Sequence, residues 1–136
     1  MLVGLAALPS AVLYARLARS SPPATVLRTA LLVQAVGMLL PAVFTGSGAA
    51  LLAGVIFGGT FLGIVSLGMG TGARMGIPRS GAILTIAFSL GQILGPLAAA
   101  PLIHHGYAPA LVLGAVIVML AAVPTLLIRP GAPPTR

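Results

Sequence analysis

Residues 49–71 read AALLAGVIFGGTFLGIVSLGMGT and contain no charged side chain. A helix needs about 20 apolar residues to cross the hydrocarbon core of a bilayer, so this stretch is long enough to span one. The rest of the 136-residue chain has the same character, because 59% of its residues are hydrophobic and only 5% are charged. An ordinary soluble domain carries about 25% charged residues. The composition therefore predicts an integral membrane protein.

Four further apolar stretches accompany this one, and short segments rich in Gly, Pro, Ser and His separate them. Backbone groups inside a bilayer must satisfy their hydrogen bonds within the protein, and no stretch alternates with the period of a barrel strand. We therefore predict an all-α membrane protein with five transmembrane helices. The predicted bundle covers residues 1–128, with a tail at 129–136 and spans at about 1–17, 26–44, 49–71, 78–103 and 107–128.

All seven basic residues are arginines, and they fall on one side of a five-span serpentine. They flank the first connection, the third connection and the tail, whereas the second and fourth connections have none. This bias marks the cytoplasmic side of a membrane protein, so we interpret the charge as topogenic and expect no nucleic-acid partner. We predict a multi-pass protein of the bacterial inner membrane with its C-terminus in the cytoplasm. The arginines are Arg16, Arg19, Arg28, Arg74, Arg79, Arg129 and Arg136.

The first span is short for a bilayer crossing. From Met1 to Ala15 a helix reaches about 22 Å at 1.5 Å per residue, against a hydrocarbon core of about 30 Å. The positive residues follow this apolar run, which is the reverse of a signal peptide. An odd number of spans also places the two termini on opposite sides. We therefore expect that the chain lacks its original beginning.

The composition removes most catalytic chemistry. The chain contains no Asp, Glu, Lys or Cys, and these residues supply most catalytic acids, bases and nucleophiles. His104 and His105 are adjacent and point in different directions, and a histidine pair without a third ligand does not make a metal site. We therefore predict that the protein is not an enzyme and holds no metal or cofactor.

A polar stripe runs along the fourth span. Its members are Thr85, Ser89, Gln92 and Pro96. They recur at steps of four, three and four, and therefore lie within a strip about 60° wide. Because Pro96 has no N–H, the carbonyl of Gln92 is left available beside its own amide side chain. The stripe has the ingredients of a neutral site on a substrate pathway, to which Gln34 and Thr60 also belong in this interpretation. The alternative is interhelical hydrogen bonding without a substrate.

Small residues in the third and fourth spans would let neighbouring helices approach closely in lipid. In the third span they form one strip about 60° wide and a second face elsewhere on the helix. We interpret these faces as helix-packing surfaces, which need no ligand. The residues are Gly59, Gly63, Ser66 and Gly70 for the strip, Gly54 and Gly58 for the second face, and Gly91 and Gly95 in the fourth span.

Three blocks of this sequence resemble a known family. They are GLAALPS at 4–10 leading to YARLAR at 14–19, then FGGTFLGI at 57–64 and AFSLGQILGP at 87–96. In this order and spacing they resemble the C-terminal half of major facilitator superfamily permeases, closest to the YbfB/YjiJ branch. The resemblance covers the whole chain.

The resemblance implies a twelve-helix fold in two halves, of which this chain matches spans 8–12. It also implies a cytoplasmic C-terminus, in agreement with the arginine bias. We therefore expect the seven preceding spans, with the whole N-terminal half, to be missing from this chain. The superfamily loop between spans 8 and 9 often carries an Asp-Arg gating pair, and the matching place here reads Ala18-Arg19 without the acid.

Two functions of different classes remain open at this point. The leading hypothesis is the C-terminal portion of a secondary transporter that moves a small solute by alternating access. Its partners would be the lipid bilayer, an unknown small-molecule substrate and the missing N-terminal half. The alternative is a small non-transporting membrane protein that acts as a helix-packing or assembly partner, or a degraded gene fragment. Seven further hydrophobic spans encoded upstream in frame would favour the first hypothesis.

Overall fold

A computed structural model describes residues 9–10, 12–14, 16–17 and 19–127. The predicted first span lies largely outside these residues, and the tail with Arg129 lies wholly outside them. The described residues from 9 to 20, here called the leading segment, are helical. Five helices follow, namely α1 (Pro23–Val43), α2 (Ser47–Arg74), α3 (Ser80–Ile103), α4 (Tyr107–Ala122) and α5 (Pro124–Leu127).

The described part of the chain contains no strand, and four of its segments are long and apolar enough to cross a membrane. These segments are α1, α2, α3 and Tyr107–Leu127. The prediction of an all-α membrane protein is therefore confirmed. Each of the four segments overlaps one predicted span and differs from it by a few residues at the ends.

The helix ends follow from the residues that the sequence places there. Pro23 occupies the first turn of α1, where a missing N–H costs nothing because that group has no intrahelical partner. Gly106 precedes α4 with φ 101°, a backbone conformation that glycine adopts without a side-chain clash. A new helix can therefore start immediately after the reversal at this glycine.

The turn between α2 and α3 contains two residues with left-handed backbone. Gly76 has φ 66° and Arg79 has φ 58°. The predicted span started at Pro78, whereas α3 starts at Ser80, because a residue in the left-handed region cannot continue a right-handed helix. For a residue with a Cβ this conformation costs about 1–2 kcal/mol. The turn therefore stores strain at Arg79.

The last predicted span, 107–128, is divided in two. The N–H of Val123 donates to the carbonyl oxygen of Leu120 at 3.1 Å. This bond reaches back three residues, so its turn is tighter than that of an α-helix, in which the bond reaches back four. Pro124 has no N–H to donate to that carbonyl, so the regular ladder stops there. As a result α4 ends at Ala122, and the short helix α5 follows.

The four long helices form a ring. α1 packs against α2 and α4, and α3 packs against the same two helices. Among the described residues, α1 makes no contact with α3, and α2 makes none with α4. α1 is packed extensively on both sides, whereas α3 makes smaller contacts and has no buried residue.

The two ends of this ring differ in charge and packing. One end carries Arg19, Arg28, Arg74 and Arg79 and is called the arginine end; the other carries the turns at 44–46 and 104–106 and is called the histidine end. A hydrophobic core fills the half at the arginine end. Its buried residues are Val26, Leu27, Leu31, Leu67 and Ala122, with Tyr14, Ile64 and Val118 packed against them. The half at the histidine end instead contains a cavity, described below.

Candidate functional site

A buried polar pair connects α1 and α2. Thr60 Oγ1 donates to Gln34 Oε1 at 3.1 Å, and the two residues are only 4% and 8% exposed. The same hydroxyl lies 2.8 Å from the carbonyl oxygen of Ile56 and 3.3 Å from that of Phe57, so one proton is shared among three acceptors. The structure therefore gives these two predicted pathway residues a bond that joins helices.

The polar stripe of α3 is placed differently, because all four of its members are exposed. Thr85 donates its hydroxyl proton to the carbonyl oxygen of Gly81 at 2.8 Å, which leaves its oxygen able to accept. Gln92 presents two N–H donors and one oxygen acceptor. Pro96 cannot donate to the backbone carbonyl of Gln92, which adds a second acceptor at the same level. The stripe thus offers neutral donors and acceptors with no ionisable group.

The exposed surface of α3 is divided into two faces. At about 100° per residue, the polar stripe shares its face with small residues such as Gly81, Ala82 and Ala100. The opposite face carries large aliphatic side chains, all more than half exposed. They are Ile83, Leu90, Leu94 and Leu97, with Ile86 and Ile93 at its edge. One face therefore suits lipid, and the other suits water, solute or another polypeptide.

A row of three aromatic rings borders the polar stripe. Phe57 and Phe61 of α2 stack with their ring centroids 5.5 Å apart. Phe61 then meets Phe88 of α3 at 5.9 Å. Phe88 lies one turn before Gln92 on the same helix. We call these three residues the aromatic row; it brings phenyl rings of two helices beside the stripe.

A cavity of about 640 Å³ lies between the helices of the ring, at its histidine end. Helices α1, α2 and α4 supply most of its wall, and the turns at that end supply its rim. Five of the nine wall residues are glycine or alanine, and their small size leaves the cavity open. The wall consists of Gly37, Met38, Pro41, Ala50, Ala53, Gly54, Phe57, Ala110 and Leu111, and the rim of Phe44, Thr45, Gly46, Ile103 and Tyr107.

The predicted packing glycines fall into different environments. A Cβ added at Gly63 would collide with the ring of Tyr14, so the leading segment packs directly on this glycine. A Cβ at Gly59, Gly70, Gly91 or Gly95 would meet no described atom within 4 Å. Gly58 is buried, Gly54 lines the cavity and Ser66 is exposed.

The predicted topogenic arginines that the structure describes lie at one end of the ring. Arg16, Arg19, Arg74 and Arg79 are exposed, and Arg28 is half-buried. Arg28 is near the start of α1 and Arg74 is the last residue of α2, so the antiparallel arrangement of these helices brings them to the same level. The described arginines are therefore at the same end of the ring of helices, and their topogenic role stays a prediction.

Sequence reasoning missed the cavity and the aromatic row. The spacing of Phe57 and Phe61 by four residues was a usable signal, because it places two rings on one helix face. Nothing in the sequence indicated that Phe88 would join them. Two close contacts were also missed: a Cβ at Gly37 would lie 2.5 Å from Ile56 Cγ2, and one at Gly114 would collide with the end of Met38.

The sequence matches a known protein family over most of its length. A family model described as an uncharacterised MFS-type transporter, YbfB, matches residues 1–126. No curated protein and no solved structure matches the chain. The family match covers nearly the whole sequence, including every helix described above except the final residue of α5.

Proposed function

The chain belongs to the MFS-type transporter family of YbfB, and from that premise we propose that it forms the C-terminal portion of a secondary transporter that moves a small solute by alternating access. It is an integral membrane protein of a transporter family. The observation that carries the proposal is the exposed polar stripe on α3, the one long helix of the described chain without a buried residue.

Polar side chains in an apolar helix are costly where they face lipid, so they face protein or water in a working membrane protein. In α3 these side chains are gathered on one face, and the large aliphatic residues occupy the other. This division supports a solvated path along the stripe and lipid along the aliphatic face. The stripe has uncharged donors and acceptors, so it can hold a solute by hydrogen bonds alone.

The weak packing of α3 supports a further partner in the complete carrier. α1 has neighbours on both sides and several buried residues, whereas α3, within the described part of the chain, touches only α2 and α4 and has no buried residue. We propose that the N-terminal half of the transporter faces the polar stripe and encloses the path. The membrane is proposed to be the bacterial inner membrane, with the arginine end in the cytoplasm.

The alternative function, a packing partner without transport, has less support. Family membership indicates a transporter. The glycine surfaces on which the alternative depends are also mixed, because Gly63 is already covered by Tyr14 while Gly59 and Gly70 have no described neighbour within 4 Å. A transporter accounts for the exposed stripe, which the alternative leaves without a role.

The proposal is tested by uptake of a panel of uncharged radiolabelled solutes into vesicles that contain the complete carrier. Gln92→Leu removes a donor and an acceptor with little change in volume, so accumulation of at least one solute should fall about tenfold or more at unchanged carrier yield. Ser89→Ala should lower the same uptake, and Ser66→Ala, a matched exposed serine on α2, should not. Normal uptake by Gln92→Leu at wild-type yield would contradict a path along the stripe.

A further inference from the structure

The cavity at the histidine end has the size and lining of a small-molecule site. Its volume of about 640 Å³ falls within the range of about 300–1,000 Å³ that ligand pockets occupy. Its lining comes from described residues of α1, α2 and α4, from Ile103 at the end of α3 and from the turn at 44–46. Apart from Thr45 and Tyr107 at the rim, all its side chains are apolar or absent.

The charge distribution restricts what this cavity can hold. The chain has no acidic residue, and its described arginines lie at the arginine end, about the length of a helix away. A charged solute in the cavity would lose water without gaining a counter-ion, which is strongly unfavourable. An uncharged solute with an apolar part does not incur this cost.

The aromatic row connects the cavity to the polar stripe. Phe57 belongs to the cavity wall, and Phe88 lies beside Thr85 and Gln92 on α3. The centroid spacings of 5.5 and 5.9 Å are within the distances at which aromatic rings attract one another. The aromatic row is therefore a continuous series of phenyl rings from the cavity wall to the side of the polar stripe.

A second connection runs along α3 itself. Ile103 at the rim of the cavity lies about five helical turns after Thr85, which puts both residues on the same face of the helix. The rim of the cavity and the polar stripe are thus two ends of one surface. Gly95, which borders this surface, has no described atom within 4 Å of an added Cβ, so an aromatic ring of a solute would have room against the helix backbone.

We propose that this cavity is a first binding site for the transported solute, and that the solute is an uncharged molecule with a flat apolar ring and a hydrogen-bonding group such as an amide. The aromatic ring of the solute enters the cavity. Its hydrogen-bonding group later forms hydrogen bonds with Gln92. The second step rests on the proposed function, whereas binding in the cavity depends on this chain alone.

Fluorine NMR of para-fluorobenzamide with the purified chain in lipid nanodiscs tests the binding step directly. The fluorine line should broaden more than with empty nanodiscs, and excess unlabelled benzamide should restore its width. para-Fluorobenzoate and para-fluorobenzylammonium, which carry a charge on the same ring, should show no such saturable broadening. Equal saturable broadening by either charged probe would overturn the selection for uncharged solutes.

A matched pair of variants locates the site. Ala53→Leu places a larger side chain in the cavity and should weaken benzamide binding about tenfold, which corresponds to about 1.4 kcal/mol of binding free energy. Ala121→Leu makes the same change at an exposed position of α4 outside the cavity and should leave binding unchanged. Undiminished binding by a folded Ala53→Leu chain, or broadening that excess benzamide does not reverse, would overturn the proposed site.

The outcome separates this inference from the proposed function. If the carrier needs Gln92 for uptake but the chain shows no saturable benzamide binding, the cavity site is wrong and the pathway stands. If benzamide binds in the cavity but Gln92→Leu leaves uptake unchanged, the path along the stripe is wrong. In that case the transfer from the cavity to Gln92 is wrong as well.

Discussion

Thr60 of α2 donates a hydrogen bond to Gln34 of α1 across 3.1 Å, and both residues are more than nine-tenths buried. The pair joins the two helices one turn from the cavity wall, at Gly37 and Phe57. It therefore holds α1 and α2 together at the boundary between the packed core and the open half of the ring.

Thr60→Val should destabilise the chain, because valine keeps the shape of threonine but leaves Gln34 Oε1 without its donor. The expected loss in unfolding free energy is about 0.6 kcal/mol, the average for interhelical hydrogen bonds in membranes. Thr85→Val is the matched control, since among the described residues the Thr85 hydroxyl bonds only within its own helix. Denaturant unfolding in bicelles measures both variants. Equal stability of the two would show that the buried pair does not hold the helices together.

Gly63→Leu and Gly70→Leu should differ, although both glycines belong to one predicted strip. A side chain at Gly63 collides with Tyr14, whereas one at Gly70 meets no described atom within 4 Å. The yield of monodisperse protein should therefore fall sharply for Gly63→Leu and stay near wild type for Gly70→Leu. Tyr14→Ala combined with Gly63→Leu should recover part of the yield. Failure of that rescue would argue against the Tyr14 contact.

Cysteines introduced on the two faces of α3 should differ in their reactivity with a thiol reagent. The chain has no native cysteine to interfere. Gln92→Cys on the polar stripe should react in the complete carrier with a membrane-impermeant thiol reagent, because the proposed path is solvated. Leu94→Cys on the aliphatic face should react slowly, since a thiol in lipid is protonated and not reached by the reagent. Mass spectrometry gives the extent of labelling. Equal labelling of both positions would remove the distinction between the faces.

The orientation can be tested by the same chemistry. Ser47 and Ser20 are both exposed and lie at opposite ends of the ring. In intact cells, Ser47→Cys should be labelled by an impermeant reagent and Ser20→Cys should not, because the arginine end is predicted to be cytoplasmic. Inside-out vesicles serve as the control and should give the reverse pattern. Labelling of Ser20→Cys alone in intact cells would invert the topology.

Two arginine-to-glycine changes should have opposite effects on stability. Arg79→Gly relieves the left-handed backbone at φ 58° and should raise the unfolding free energy by up to about 1 kcal/mol. Arg74→Gly removes the same charge from the last helical position of α2 and should lower it by a similar amount. Thermal unfolding of both variants gives the sign. A loss of stability in Arg79→Gly would show that the side chain matters more than the strain.

Much of the fold followed from composition and local pattern. The apolar stretches predicted four of the membrane segments to within a few residues, since a helix in lipid is specified by the length of its own sequence. The ends were less predictable. The break before Pro124 could have been predicted from that proline. The start of α3 at Ser80 depends on the left-handed backbone of Arg79, which the identity of this residue does not predict.

Sequence patterns did not predict which polar residues of the candidate site are paired and which are exposed. Gln34, Thr60 and Gln92 are all polar residues in apolar helices, and no local pattern distinguishes their roles. In the structure Gln34 and Thr60 meet and are buried, whereas Gln92 stays exposed. Their roles in a substrate pathway remain predictions for the experiments above.

The sequence by itself determined the class of the protein, its helices and the grouping of its arginines, because these depend on how each segment partitions between water and lipid. Only the tertiary structure decided which polar groups are paired, which glycines are covered and where the ring stays open. Those properties depend on contacts between residues far apart in the chain, such as Tyr14 with Gly63 or Phe61 with Phe88. In lipid such contacts come from close packing and hydrogen bonds between helices, and hydrophobicity along one helix does not specify them.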